Sequence, residues 1–155
     1  MHPFLAARRL RFLARIHDDR LVRAALWLCA YTLVPTAAVS ALYVAAGGAL
    51  PAMPWLSTVF FNPLIETLML GAIIIQVGKL HGEHKALGLA ALLMAAFHAL
   101  NTLWWGLTGL GLFLLHAYAF TQLYRDDRQR AFAVPMLAHA LHNAVVVAAL
   151  LVLQA

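Results

Sequence analysis

Residues 132–153 read FAVPMLAHALHNAVVVAALLVL, a run of 22 residues that contains no Asp, Glu, Lys or Arg. About 20 consecutive apolar residues are enough for an α-helix to cross the hydrocarbon core of a bilayer. The run also carries three polar side chains, His139, His142 and Asn143. Polar and ionisable groups are costly inside a membrane and commonly mark a functional site. This stretch therefore predicts a transmembrane helix with candidate functional residues.

The composition extends this interpretation to the whole chain. Of the 155 residues, 64% are hydrophobic and 11% are charged, whereas soluble domains are roughly half apolar and about one-quarter charged. A soluble globular enzyme and a disordered chain are both excluded. Nucleic acid is not an expected partner despite the net charge of +5, because the basic residues lie at the ends of apolar segments.

We predict an all-α fold, a polytopic transmembrane bundle of about five spans. A basic tail over residues 1–23 precedes a transmembrane domain over residues 24–155. The tail could be an amphipathic helix on anionic lipid or a plain topogenic segment. Gly106 and Gly109 are expected to mark the third connection, with Trp104 and Trp105 at the outer membrane boundary. The predicted spans are 24–44, 56–77, 86–105, 107–124 and 132–153.

The positions of the basic residues predict an orientation. With five spans, the eleven Lys and Arg residues fall into three groups on one side of the membrane: the tail, the second loop and the fourth loop. Basic loops stay in the cytoplasm. We therefore expect an integral protein of the bacterial inner membrane, with its N-terminus in the cytoplasm and its C-terminus outside.

One acidic residue and four histidines fall inside the predicted spans. Glu66 lies near the middle of the second span, where an ionised group costs about 2.5–3.5 kcal/mol on insertion scales. At about 1.5 Å per residue, several of these groups lie roughly 10–20 Å from the outer ends of their spans and could share one pocket. That set consists of Glu66, His98, His116 and Asn143, with His139 and His142 on the same helix as Asn143.

A carboxylate, histidines and an amide in one pocket suit hydrolysis. A carboxylate can deprotonate water, a histidine can orient it or protonate a leaving amine, and an amide can stabilise an oxyanion. The alternative is a zinc ion held by Glu66, His98 and His139. Two further alternatives are a proton- or ion-coupled transporter and a haem protein. The haem protein would use two of His98, His116, His139 and His142 as ligands.

Three short motifs resemble those of a known family. Pro63-Leu-Ile-Glu66-Thr67 keeps the Pro and first Glu of the first motif, with Thr67 at the second Glu and Gly71 at the Arg. Met94-Ala-Ala-Phe-His98 keeps the His of the second motif, and His139-Ala-Leu-His-Asn143 matches the third in full. The chain resembles the CPBP intramembrane proteases, a group related to the CAAX prenyl endopeptidase Rce1 and to bacteriocin-processing proteins.

The resemblance implies a glutamate-dependent intramembrane endopeptidase that uses no cofactor. It implies that Glu66 activates water, that His98 assists, and that His139 and Asn143 stabilise the oxyanion. His142, His116 and Thr67 are possible accessory residues. The expected partners are a membrane protein or peptide substrate and the lipid bilayer. A non-catalytic relative that binds a membrane partner remains an alternative, because Thr67 and Gly71 depart from the first motif. The sequence predicts no particular oligomeric state.

Overall fold

The computed structural model describes residues 12–18, 20–49, 54 and 56–153. A π-helical turn, Ser57–Phe61, leads directly into the second long helix, and residues 12–16 form a short helix before the first. Among the described residues there is no strand, so the predicted all-α class is confirmed. The long helices are α1 (Leu21–Ala45), α2 (Asn62–His81), α3 (Glu83–Ala99), α4 (Leu103–Tyr124) and α5 (Arg128–Leu153).

Helix α4 forms the centre of the bundle. It packs against α3, α1 and α5 and more lightly against α2, while α2 also packs against α3 and α5. Its buried side chains include Phe113, His116 and Phe120. Large apolar side chains such as Leu42, Leu92 and Leu100 are exposed, as expected for helices that face lipid. The arrangement is a polytopic helical bundle, as predicted.

In the part of the chain that the structure describes, four helical stretches are long and apolar enough to cross a membrane. They are Leu21–Ala45, Ser57–His81, Leu103–Tyr124 and Arg128–Val152. The span predicted at 86–105 instead becomes α3, which has 17 residues and ends at Ala99. A length of 17 residues is at the lower limit for a membrane span.

The third connection lies earlier than predicted, at residues 100–102. Helix α4 begins at Leu103, and the Thr102 hydroxyl caps it by accepting the Trp105 N–H at 3.2 Å. Gly106 and Gly109 therefore lie inside α4, not in a loop. Gly106 is needed for close packing, because a Cβ there would lie 2.5 Å from the Cβ of Ala99. In the sequence, a glycine that permits such close contact between helices looks the same as a glycine in a loop.

The polar connections meet at one end of the bundle. Contacts join the segment before α1, the α2–α3 connection and the α4–α5 connection, so the three groups of charged residues lie together. These contacts are His17 with Asp126 at 3.7 Å, Arg125 with Glu83, and the Arg130 guanidinium with the Asp18 carbonyl oxygen. We call this the charged end. The clustering is the one on which the predicted orientation depends.

The basic tail lies partly outside the described residues, which omit 1–11 and 19. In its described part, Phe12 and Ile16 are buried against the bundle. The Arg15 guanidinium lies 3.6 Å from the centre of the Trp27 ring and donates to the Tyr31 hydroxyl at 2.9 Å. This short helix therefore packs on α1 through its apolar side chains, and the choice between a lipid-bound helix and a plain tail stays a prediction.

Candidate active site

Glu66 is positioned by an irregular start to α2. The π-helical turn Ser57–Phe61 precedes Pro63, which occupies the first turn of α2. Proline has no N–H for the preceding turn, and single π-turns recur at functional sites. Asn62 and Glu66 lie four residues apart, on one face of α2. Glu66 is 8% exposed, so its side chain is buried inside the bundle.

The Glu66 carboxyl group lies between two histidines. His98 Nε2 is 3.3 Å from Oε1, and His139 Nε2 is 3.4 Å from Oε2. His98 belongs to the last turn of α3, and His139 lies near the middle of α5. His98 is thus one residue from the end of its helix. The predicted span, which ended at residue 105, had placed it about 10 Å from that end. The early end of α3 places it level with Glu66.

His98 faces the Glu66 carboxyl group through Nε2, at 3.3 Å. The Met94 carbonyl oxygen lies 2.8 Å from His98 Nδ1 and can only accept, so Nδ1 carries a hydrogen. A neutral His98 therefore presents a lone pair at Nε2. A proton on either group would let the two hydrogen-bond to each other. A carboxyl–imidazole pair of this kind is suited to exchange a proton with a reacting group.

Asn143 connects α5 to the π-helical turn. Its Nδ2 donates to the carbonyl oxygen of Thr58 at 2.8 Å. Asn143 lies one helical turn beyond His139, and both line the same cavity. One amide hydrogen is used by Thr58, which fixes the direction of the amide group. The second hydrogen is the donor that an oxyanion would need.

These groups line a cavity of about 70 Å³. A buried water needs roughly 10–15 Å³ of such space, so the cavity can hold water molecules or a small part of a substrate. Its polar lining includes Glu66, His98, His139, His142 and Asn143. Its apolar lining includes Trp105, Leu112, Phe113 and Val146. The four principal predicted residues therefore come together around one space.

Buried polar atoms without partners concentrate at this cavity. Among the described residues, four buried side-chain atoms lack a hydrogen-bond partner. Three of them, Thr58 Oγ1, Glu66 Oε2 and Trp105 Nε1, belong to residues that line the cavity, and the fourth is His116 Nε2. Buried polar groups in native proteins are almost always satisfied by protein or water. The cavity therefore has donors and acceptors for water or for a peptide group. Sequence reasoning identified neither Thr58 nor Trp105 as part of the site.

The three possible accessory residues differ in their positions. His142 is held by α1, with Nδ1 at 2.9 Å from Thr32 Oγ1 and Nε2 at 3.3 Å from Thr36 Oγ1. The His116 ring centre is 5.4 Å from that of His139, and His116 Nδ1 donates to the Leu112 carbonyl at 2.8 Å.

His116 itself does not line the cavity, which differs from the predicted shared pocket. Thr67 is buried at 3% exposure but does not line it either. Of the accessory residues, His142 alone borders the space that Glu66 faces.

The sequence of residues 48–145 matches the family of type II CAAX prenyl endopeptidases, Rce1-like. This segment is well over half of the chain. The chain belongs to the Rce1-like family. No curated protein and no solved structure gives a significant match. The matched segment contains the π-helical turn, α2, α3, α4 and the part of α5 that carries His139 and Asn143.

At the position of the Arg in the first motif, this Rce1-like protein has no space for a side chain. Gly71 occupies it, and a Cβ at Gly71 would lie 2.7 Å from Phe132 Cε1 and 2.8 Å from Phe120 Cε2. The two rings meet edge to face, with centres 4.9 Å apart. Aromatic side chains of α4 and α5 thus fill the space beside α2 that a longer side chain would need.

Helix α1 lies before the matched segment, yet it contributes to the site. Thr32, Thr36 and Ser40 follow one another at four-residue spacing and therefore share a face. Thr32 and Thr36 contact His142, and Ser40 accepts the Trp104 indole N–H at 3.0 Å. Trp104 is buried among the helices, at 3% exposure. The regular hydroxyl spacing within an apolar span is the signal that could have identified this face.

The zinc alternative requires three ligands around one point. Among the described residues, no group of three or more His, Cys, Asp and Glu side chains is arranged to hold a metal ion. Glu66 does have a histidine nitrogen near each of its oxygens. Sensitivity to chelators is therefore the measurement that separates a metal mechanism from a glutamate mechanism.

Proposed function

We propose that this membrane protein is a glutamate-dependent endopeptidase that hydrolyses a peptide bond of a membrane-associated protein or peptide. The observation that carries the proposal is the placement of the Glu66 carboxyl group between His98 and His139, at 3.3 and 3.4 Å, beside a cavity with unpaired polar atoms. Membership of the Rce1-like family supports the reaction class.

The proposed reaction starts with His98 protonated on both ring nitrogens and Glu66 as a carboxylate. Glu66 takes a proton from water while the water oxygen bonds to the carbonyl carbon of the substrate. The resulting oxyanion accepts hydrogen bonds from the Asn143 amide and from His139. His98 then gives its Nε2 proton to the leaving nitrogen, and the C–N bond breaks. Transfer of the Glu66 proton to His98 restores the starting state.

The positive-inside rule supports a cytoplasmic location for the charged end. Glu66 is thirteen residues from Lys79 on α2, or about 20 Å at 1.5 Å per residue. The cavity would then lie in the outer half of the bilayer. A substrate would reach it from the membrane or from the outer surface. The same orientation places the N-terminus in the cytoplasm and the C-terminus outside, in a bacterial inner membrane.

The chain offers a matched control for a test of Glu66, because Glu83 is its only other glutamate and lies at the charged end. Membranes of a host strain that lacks the endogenous protein would carry the wild type, Glu66→Gln or Glu83→Gln at equal abundance. Mass spectrometry would compare the termini of all membrane proteins. We expect new termini with the wild type and Glu83→Gln, and a loss of at least about a hundredfold with Glu66→Gln, since general acid–base groups contribute about 10²–10⁴.

A second arm separates the mechanisms. Treatment of wild-type membranes with a zinc chelator should leave the new termini unchanged if Glu66 acts without a metal. Their loss on chelation and return on addition of zinc would establish the metal alternative. Termini that persist with Glu66→Gln, or that never appear with the stably inserted wild type, would refute the proposed function.

A further inference from the structure

We propose that a groove at the charged end binds the headgroup and upper acyl chain of an anionic glycerophospholipid. The groove has a volume of about 430 Å³ and lies between α2, α4 and the beginnings of α3 and α5. None of its lining residues lines the cavity beside Glu66. The proposal therefore does not depend on the proposed endopeptidase activity.

The floor of the groove is apolar. Ile74 and Phe120 are buried there, at 6% and 0% exposure, and Ile75 is partly exposed beside them. The Phe120 ring stacks on that of Tyr124, with centres 5.3 Å apart, which extends the apolar surface toward the rim. A glycerol backbone and the first carbons of an acyl chain would cover this surface, which a small soluble anion would leave unfilled.

The rim of the groove is cationic. It carries three exposed basic side chains, Lys79, Arg125 and Arg128, and one carboxylate, Glu83, which pairs with Arg125. Lys79 and Arg128 form no ion pair with a carboxylate of the described residues. The Arg128 guanidinium instead lies 5.5 Å from the centre of the Tyr124 ring. Two positive charges that pair with no described carboxylate thus stand above an apolar floor.

The nearby carboxylates of the α4–α5 connection are engaged elsewhere. Asp126 contacts His17, and Asp127 accepts the backbone N–H of Arg130 at 3.0 Å. Neither carboxylate pairs with Lys79 or Arg128, so these two side chains can contact an external anion. Basic pockets between transmembrane helices at the cytoplasmic level are the sites that anionic headgroups occupy. A zwitterionic phospholipid has the same apolar part but no net charge to match the rim.

The test uses the purified full-length chain in detergent micelles and native mass spectrometry. The protein is titrated separately with phosphatidylglycerol, phosphatidylcholine and inorganic phosphate. The groove variant is Lys79→Gln/Arg128→Gln. The control is Arg20→Gln/Lys85→Gln, which removes the same two charge types from exposed positions of the charged end outside the groove.

We expect one bound phosphatidylglycerol per chain, preferred at least about tenfold over phosphatidylcholine. At about 1 kcal/mol for each basic residue, the groove variant should lose about thirty-fold in affinity, and the control should stay within about twofold. In the wild type, added salt should weaken phosphatidylglycerol binding, a check that needs no variant.

Equal weakening by the groove variant and the control would overturn the proposal in favour of a diffuse surface charge. Binding of phosphatidylcholine as tight as that of phosphatidylglycerol would overturn the requirement for an anionic headgroup. Inorganic phosphate that binds as tightly as phosphatidylglycerol would show a phosphate site without lipid recognition, which also overturns it.

Discussion

The substitution Gly71→Ala tests the close approach of α2 to two aromatic rings. Its new methyl carbon would lie 2.7 Å from Phe132 Cε1 and 2.8 Å from Phe120 Cε2, whereas carbon atoms in favourable contact are about 3.5–4.0 Å apart. Either a ring or α2 itself must move by roughly 1 Å. Phe120 is fully buried and stacked on Tyr124, so it cannot move without disturbing its neighbours.

The expected cost is the difference between two effects. Overpacking of a closed core costs about 1–3 kcal/mol, and alanine in place of glycine within a helix returns about 0.5–1 kcal/mol. Gly71→Ala should therefore lower the free energy of unfolding by about 0–2.5 kcal/mol. Gly88→Ala is the matched control, since Gly88 also lies in a helix and a Cβ there has no neighbour within 4 Å. This control should be neutral or stabilising by up to about 1 kcal/mol.

The assay is reversible unfolding in mixed micelles, followed by circular dichroism, with both variants and the wild type measured side by side. The double variant Gly71→Ala/Phe132→Leu should recover part of the lost stability, because the smaller side chain makes room for the methyl group. Stability of Gly71→Ala equal to that of Gly88→Ala would refute the packing argument. It would also mean that the space beside α2 at position 71 can hold a longer side chain, such as the Arg of the family motif.

Two further substitutions test the contacts of α1 and of the cavity. Ser40→Ala removes the acceptor of the buried Trp104 N–H and should cost about 0.5–2 kcal/mol in the same unfolding assay. Ser57→Ala, which removes a local exposed hydrogen bond, should change little, and equal effects would contradict a role of α1 in holding α4. Trp105→Phe removes the unpaired donor of the cavity while keeping an aromatic ring. It should reduce the yield of new termini by about two- to tenfold, as expected for one hydrogen bond to substrate. Trp27→Phe, outside the cavity, should leave that yield unchanged, and an equal yield with Trp105→Phe would show that its indole does not contact substrate.

The sequence predicted the helices better than their ends. Apolar length located every long helix, but the glycines at 106 and 109 suggested a loop because sequence alone does not distinguish a flexible connection from close helix contact. The structure resolves this at Gly106, whose missing side chain accommodates Ala99. The Thr102 cap, three residues before Trp105, was the sequence signal for the true start of α4.

The site was predicted to the extent that its chemistry is rare in a membrane. Glu66, His98, His139 and Asn143 stood out because each is costly among apolar residues, and the structure places all four at one cavity. Hydroxyl groups carry no such cost, since they can bond to the preceding turn of their own helix. Thr36 and Thr58 were therefore missed, although both line the cavity.

The short length of α3 has a consequence for the surrounding lipid. Its 17 residues rise about 25 Å, less than the roughly 30 Å of a typical hydrocarbon core. A helix shorter than the core draws the lipid headgroups inward on its side. With α3 in a bilayer, the thinned region would include the level of Ala99, one residue beyond His98, and interfacial water would come closer to the bundle beside Glu66. The hydrophobic mismatch of one helix would thus give the membrane itself a part in supplying water to a buried carboxylate.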